Sequence, residues 1–279
     1  MIECKGRSYI LNGKLHPAES FDNSLVYDGD SIYEVIRMQN NIPVFFTDHV
    51  NRLATSAALR GKRMLADESG IRKGILALAR HERKKESNLK IVFNYNKGSA
   101  NYLIYYIETV YPSEEQYNNG VKGILFHAER EQPCSKIINY KPRATIYQEL
   151  IHARAYEALL VDREGMITEG SRSNIFFLRD DVLVTAPDDT VLNGITRGYI
   201  INICSENNIR VVYERVNASL LSNYETVFMT GTSPMVLPFY CIDDITFNVA
   251  ASVIAKLRSL YIEKTRESIA LFRTIITPR

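Results

Sequence analysis

A chain of 279 residues, 46% of them hydrophobic, is long enough to bury one large core or two modest ones. Its 34 basic and 32 acidic side chains leave a net charge of +2, so nothing argues for a nucleic-acid or membrane-surface partner. Cys4, Cys134, Cys204 and Cys241 are scattered, no apolar run approaches membrane-spanning length, and the first ten residues lack an apolar h-region. A soluble cytoplasmic protein without a disulfide framework or zinc site is expected. In chain order, residues 8–15 read as a strand pair around Asn12-Gly13. Tyr33, Val35 and Met38 suggest a strand, Asn40-Asn41 a turn, and Ile42 to Phe46 a returning strand. Thr47 and Asp48 carry N-cap chemistry for a helix whose apolar face is Val50, Leu53, Ala54, Ala57 and Ala58, with Gly61 as its stop. A second helix is predicted over about 68–84, and strands over 89–95 and 102–110 flank the turn Lys97-Gly98.

Residues 111–120, YPSEEQYNNG, are polar and turn-rich, which marks a domain boundary. A small α+β domain (1–112), a linker (113–120) and a larger second domain (121–279) are therefore expected. In the second part, 121–127 reads as a strand and 144–156 as a helix with Tyr147, Leu150, Ile151 and Ala155 on one face. Strands follow at 159–161, 175–178 and 182–185, a helix from about 196 to 207, strands near Val211 and Val227, and a C-terminal helix from about 249 to 272. The fold class is α+β, with strands and helices mixed around a barrel-like sheet in the second domain.

The chemistry concentrates between Lys136 and Asn174, where KIINY, a helix and ALLVDREGMITEGSRSN follow one another. A lysine amine attacks an aldehyde only once it has shed its proton, which burial or a neighbouring cation promotes. A glutamate such as Glu169, in Glu-Gly-Ser-Arg-Ser-Asn, would hold a cationic ring nitrogen. One loop lysine alone is ordinarily a solvated charge, and Lys141 is a rival to Lys136. Tyr140 is either a ligand or a packing residue. Asn193-Gly194-Ile195-Thr196-Arg197 starts a helix and so presents N–H groups to an anion. Thr230-Gly231-Thr232-Ser233 follows a strand and offers a second small-residue loop. The five histidines lack metal-ligand spacing, and no catalytic metal is expected.

Lys136-x-x-Asn139-Tyr140, with Glu169-Gly170-Ser171-x-Ser173-Asn174 downstream, resembles the class IV aminotransferases, the fold-type IV pyridoxal phosphate (PLP) enzymes. His49-x-x-Arg52-Leu53 and YDGDSIYEVIRM extend the resemblance over almost the whole chain. The resemblance implies PLP as cofactor, held by Lys136 as an imine. Glu169 would sit at the ring nitrogen and Tyr140 at the phenolic oxygen. Arg52, Ile195, Thr196, Gly231 and Thr232 would hold the phosphate, and Tyr33 and Ser233 would face substrate. It implies a ping-pong transfer from an amino acid to a 2-oxo acid such as 2-oxoglutarate, catalysed by Lys136, in a homodimer. Glu34 stands where the related aminodeoxychorismate lyases carry a small hydroxyl residue, which disfavours the lyase reading. The run NKGSANYLIY lacks the Arg-x-His pair of D-amino acid aminotransferases, so an L-amino acid, branched-chain-like preference is expected. Ser31 departs from the family's usual glycine. A non-catalytic PLP-binding protein of the same fold is the reading from another class.

Overall fold

The computed structural model describes residues 3–96, 98–130, 132–138 and 140–276, with the side chains of residues 140–142 outside that description. The chain divides into two compact units. The first comprises residues 1–110, 135–138 and 265–279; the second comprises 111–134 and 139–264.

The first unit starts with the hairpin β1 (Ser8–Leu11) and β2 (Lys14–Pro17), turned by Asn12 and Gly13, both at positive φ. The one-turn helix α1 (Ser24–Tyr27), β3 (Asp30–Gln39) and β4 (Ile42–Pro43) follow. Helices α2 (Phe46–Leu59) and α3 (Glu68–Glu82) precede the long hairpin β5 (Glu86–Asn96) and β6 (Ser99–Ile107). The strands form one six-stranded sheet in the order β2-β1-β6-β5-β3-β4. Strand β3 pairs with β5 along its full length, from Asp30 opposite Tyr95 to Gln39 opposite Glu86. Alternation along β3 sends Ile32, Ile36 and Met38 to the face covered by α2, α3 and Phe272, and Tyr33 to a second cluster with Tyr9, Val92, Leu103 and Tyr105. Both faces are thus buried. Helix α2 starts without the cap expected from Thr47 and Asp48. Its N-cap is Phe45 in the left-handed region (φ 52°), whose N–H is met by Ser268 Oγ at 2.7 Å.

The lysine segment clusters with this first unit rather than with the second domain expected to hold it. The reason lies in β3. Its short partner β4 covers only Met38 and Gln39, so the opposite end of that edge is open. Residues 136–138 fill it: Lys136 O accepts Tyr33 N–H (3.0 Å), Ile138 N–H reaches Ser31 O (2.9 Å), and Ile137 bridges Ile32.

The second unit begins with α4 (Glu114–Asn119), so the stretch expected to be a linker is helical. Ser113 and Gln116 make a reciprocal capping box, and Gly120 ends the helix at φ 76°. Then come β7 (Val121–His127), α5 (Tyr140–Ala153), β8 (Glu157–Val161), β9 (Met166–Gly170), β10 (Asn174–Arg179) and β11 (Val182–Thr185). They are followed by α6 (Ile195–Glu206), β12 (Val211–Tyr213), β13 (Val216–Asn217), β14 (Thr226–Gly231), β15 (Met235–Ile242) and β16 (Ile245–Thr246). Helix α7 (Ser252–Ile276) belongs to the second unit up to Lys264 and to the first from Thr265. The ten strands run β12-β11-β10-β14-β15-β7-β8-β9-β13, with β16 on β15. The pairs β7–β8, β7–β15 and β11–β12 are parallel. Helix α5 buries Ile146 and Leu150 against Ala158 and Leu160; Tyr147 and Ile151, expected on its inner face, are exposed. Ile146 and Leu150 are four residues apart, as are Tyr147 and Ile151, so periodicity alone did not choose between the two stripes. Among the described residues no helix is long and apolar enough to cross a membrane.

Candidate active site

In the first unit the site is built on one stripe of α2. His49, Arg52 and Ser56 recur at helical spacing, and the first two reach Glu34 of β3. Glu34 sits on β3 between Ile32 and Ile36, in the row that faces the helices, and is fully buried. A carboxylate among isoleucines needs charged partners. Arg52 provides two bonds, Nε to Oε1 (2.8 Å) and Nη2 to Oε2 (2.7 Å), and His49 Nδ1 adds a third at 2.8 Å. Burial alone would raise the Glu34 carboxyl, but Arg52 and His49 outweigh it and hold the group at about 2. Burial keeps His49 below the usual imidazole range against the pull of Glu34, with Arg52 and Lys136 adding to the depression. Since Glu34 is ionised and accepts only, the neutral imidazole donates from Nδ1. Arg52, expected at a phosphate, thus has a partner that sequence reasoning did not foresee.

Ser56 continues the stripe and receives the Lys136 N–H at 3.2 Å. With its N–H on α2 and its carbonyl on β3, the backbone of Lys136 is fixed at both ends of the residue. Its Nζ lies 4.8 Å from the centre of the Tyr33 ring, and Lys90 Nζ lies 5.1 Å from the same ring. Tyr33 is buried in the cluster below. Lys90 is buried as well and paired with Glu3 at 2.5 Å. Ser31 takes Asn94 Nδ2 on its hydroxyl (2.8 Å), which gives this departure from the usual glycine a packing role. The side chains of Tyr140 and its neighbour Lys141, and the whole of Asn139, lie outside the described residues.

In the second unit Glu169 is the last residue but one of β9. Two residue steps of β8, Leu159 to Val161, face three of β9, Ile167 to Gly170, which is a bulge. Thr168 and Glu169, adjacent in sequence, consequently both line one cavity of about 160 Å³, with Glu129, Arg130, Pro133, Asp162 and Thr190. Glu169 is only 3% exposed. Its Oε1 pairs with Arg130 Nε at 3.0 Å and its Oε2 accepts Leu192 N–H at 3.2 Å. Arg130 went unnoticed in the sequence, where nothing ties it to a residue 39 positions on. The rest of the Glu-Gly-Ser-Arg-Ser-Asn motif holds this turn in place. Ser171 and Ser173 both donate to Glu157, at 2.5 and 2.9 Å, and Asn174 Nδ2 donates to Leu192 O at 2.8 Å. The Leu192 peptide is thereby clamped between Asn174 and Glu169. A Cβ on Gly170 would collide with Ser173 Oγ and lie 3.2 Å from Glu157. Gly170→Ala is expected to lower stability by about 1–3 kcal/mol, measured by urea unfolding.

Leu192 leads into α6, whose N-cap is Gly194 and whose first turn has no side-chain cap. Ile195 and Thr196 open the helix, and Thr196 Oγ1 is 3.0 Å from Tyr261 OH. Thr230, the last residue but one of β14, has a buried hydroxyl with no partner among the described residues. Gly231 closes β14 opposite Met235, and Thr232 and Ser233 lie in the turn into β15, all three partly buried. Uncapped N–H groups on a twelve-residue helix suit an anion, as does an unsatisfied threonine hydroxyl beside a glycine turn. This donor set fits a phosphate group.

A family model described as "Amino-transferase class IV" matches residues 31–240. The chain belongs to the class IV aminotransferases. The D-alanine aminotransferase of Bacillus licheniformis is 30% identical over 234 residues, 80% of this chain and 82% of the relative. Among solved structures, a branched-chain amino acid aminotransferase from T.th. with pyridoxamine 5'-phosphate superposes with a TM-score of 0.83 at 27% identity. The match covers 95% of this chain and 96% of that one. The same enzyme with N-(5'-phosphopyridoxyl)-L-glutamate gives 0.81 at 26% identity, over 94% of each chain. Class IV aminotransferases use pyridoxal phosphate and act on amino and 2-oxo acids. The α+β, fold-type IV assignment holds for this chain.

Proposed function

We propose that this aminotransferase moves the amino group of an L-amino acid with an apolar side chain to a 2-oxo acid such as 2-oxoglutarate, by a ping-pong sequence, with Lys136 as the catalytic amine. The anchoring of Lys136 through both backbone groups supports the reading most strongly, because it fixes the backbone from which the amine side chain extends. When bound, PLP supplies the electron sink that lets an α-proton leave an amino acid. Lys136 Nζ takes that proton and returns it, so one group serves as base and then acid. Glu169 holds the ring-nitrogen proton. Ile195, Thr196, Gly231 and Thr232 hold the phosphate through N–H and hydroxyl donors. Arg52, itself held by Glu34, is the guanidinium assigned to the same anion. Tyr33 and Ser233 face the substrate, and Tyr140 the phenolic oxygen. A homodimer belongs to the same proposal.

The L-preference rests on the missing Arg-x-His pair in the hairpin β5–β6 and on likeness to branched-chain enzymes. The D-alanine aminotransferase relative favours a second reading, a D-amino acid donor. A half-reaction screen of the holoenzyme against L- and D-amino acids, followed by loss of the bound cofactor's visible absorbance, separates them. L-Leucine, L-isoleucine and L-valine are expected to react fastest. A response confined to D-alanine and its analogues would replace the first reading with the second.

A further inference from the structure

We propose that Arg130 is the positioning residue for Glu169: it keeps that buried carboxylate ionised and aimed into its cavity, ready to hold a ring N–H. The inference rests on the role given to Glu169 above. A carboxylate as deeply buried as Glu169 would take up a proton if it had no counter-charge, and a neutral acid holds a cationic ring nitrogen poorly. Arg130 supplies the charge at 3.0 Å, and its guanidinium is itself tethered, with Nη2 donating to Ser171 O at 3.0 Å. One arginine therefore links the Glu169 side chain to the backbone two residues on, and fixes the rotation of the carboxylate.

The other acids of the cavity do not compete for it. Glu129 pairs with Arg163 at 2.5 Å and Asp162 with Arg215 at 2.6 Å. Those two arginines are 82% and 42% exposed, against 27% for Arg130, so solvent screens the outer pairs more than the inner one. Two further acids of the second unit are engaged elsewhere: Glu157 accepts from Ser171 and Ser173, and Asp188, before α6, is held by Arg197.

The test compares holoenzyme carrying R130M, R130Q, R130K and E169Q. Turnover and the visible spectrum of the bound cofactor are followed from pH 5 to 9. R130M and R130Q are expected to lose about tenfold in kcat near neutrality, with the acidic limb of the pH profile moved up by about one pH unit. The spectral transition, read without turnover, should move with the limb. R130K keeps a cation and should restore the limb while recovering turnover only in part. R130Q retains a donor for Ser171 O, so its agreement with R130M assigns the effect to charge rather than packing; it also serves alone if R130M does not fold. An unmoved limb and spectrum in R130Q, with E169Q impaired, would overturn the role of Arg130 and leave that of Glu169 standing. E169Q with normal turnover would instead remove the reading on which both rest.

Discussion

Replacing Lys136 by alanine is expected to abolish the half-reaction with amino acids, lowering it by at least about 10³-fold, the upper part of the range for loss of a general acid–base. The variant should still fold. Lys136 is tied to its surroundings by its N–H on Ser56 and its carbonyl on Tyr33, and alanine keeps both bonds. The contact of the amine with the Tyr33 ring disappears. Cofactor should still bind, because the α6 N-terminus and the turn after β14 are untouched, but it should dialyse away and lack the absorbance of the covalently held form. Single-turnover measurements with wild type, K136A and K141A decide the matter. Normal turnover in K136A would hand the role to Lys141 or another amine.

The second large effect concerns stability. Glu34→Gln is expected to cost about 3–5 kcal/mol, because it leaves the Arg52 guanidinium buried beside a neutral amide. For a chain of this size that lowers the unfolding midpoint by roughly 10 °C. The double variant E34L/R52M should regain most of the loss, since apolar side chains can replace a buried ion pair. The wild type should show the linked pH dependence. Glu34 in the folded chain lies at about 2, below its ordinary 4.5. The pair therefore stabilises fully above pH 4.5 and loses its contribution as pH falls toward 2, on the order of 3 kcal/mol in all. Urea unfolding at pH 7, 5, 4 and 3 reads this slope, which E34Q should flatten. Equal slopes in the two proteins would show that Glu34 does not carry it.

The fold class was legible because the strands around 89–110 and the helices after Thr47 and Glu68 carry clear periods, and their observed bounds differ from the expected ones by a few residues. Two local features escaped the sequence reading for physical reasons. The Ser113-x-x-Gln116 box in YPSEEQYNNG starts a helix, but the polar, turn-rich composition drew attention instead. Tyr147 and Ile151 form as good an apolar pair as Ile146 and Leu150, and only the packing against β8 selects between them. In the candidate site, Glu34 was read as a mark of reaction type, whereas its neighbours Ile32 and Ile36 already required a buried counter-charge from α2. The pairing of Arg130 with Glu169 was out of reach. It depends on a bulge in β9 that re-aims the carboxylate, and a bulge leaves no period in the residues that form it. The swing of the lysine segment to the first unit arises from an open strand edge, a property of pairing rather than of any residue type.

Borohydride reduction of the holoenzyme, then proteolysis and peptide mass spectrometry, tests the central claim most directly. The phosphopyridoxyl mass is predicted on Lys136 alone, and to be absent from K136A. The same mass on Lys141, or on no lysine of a catalytically active preparation, would contradict the account.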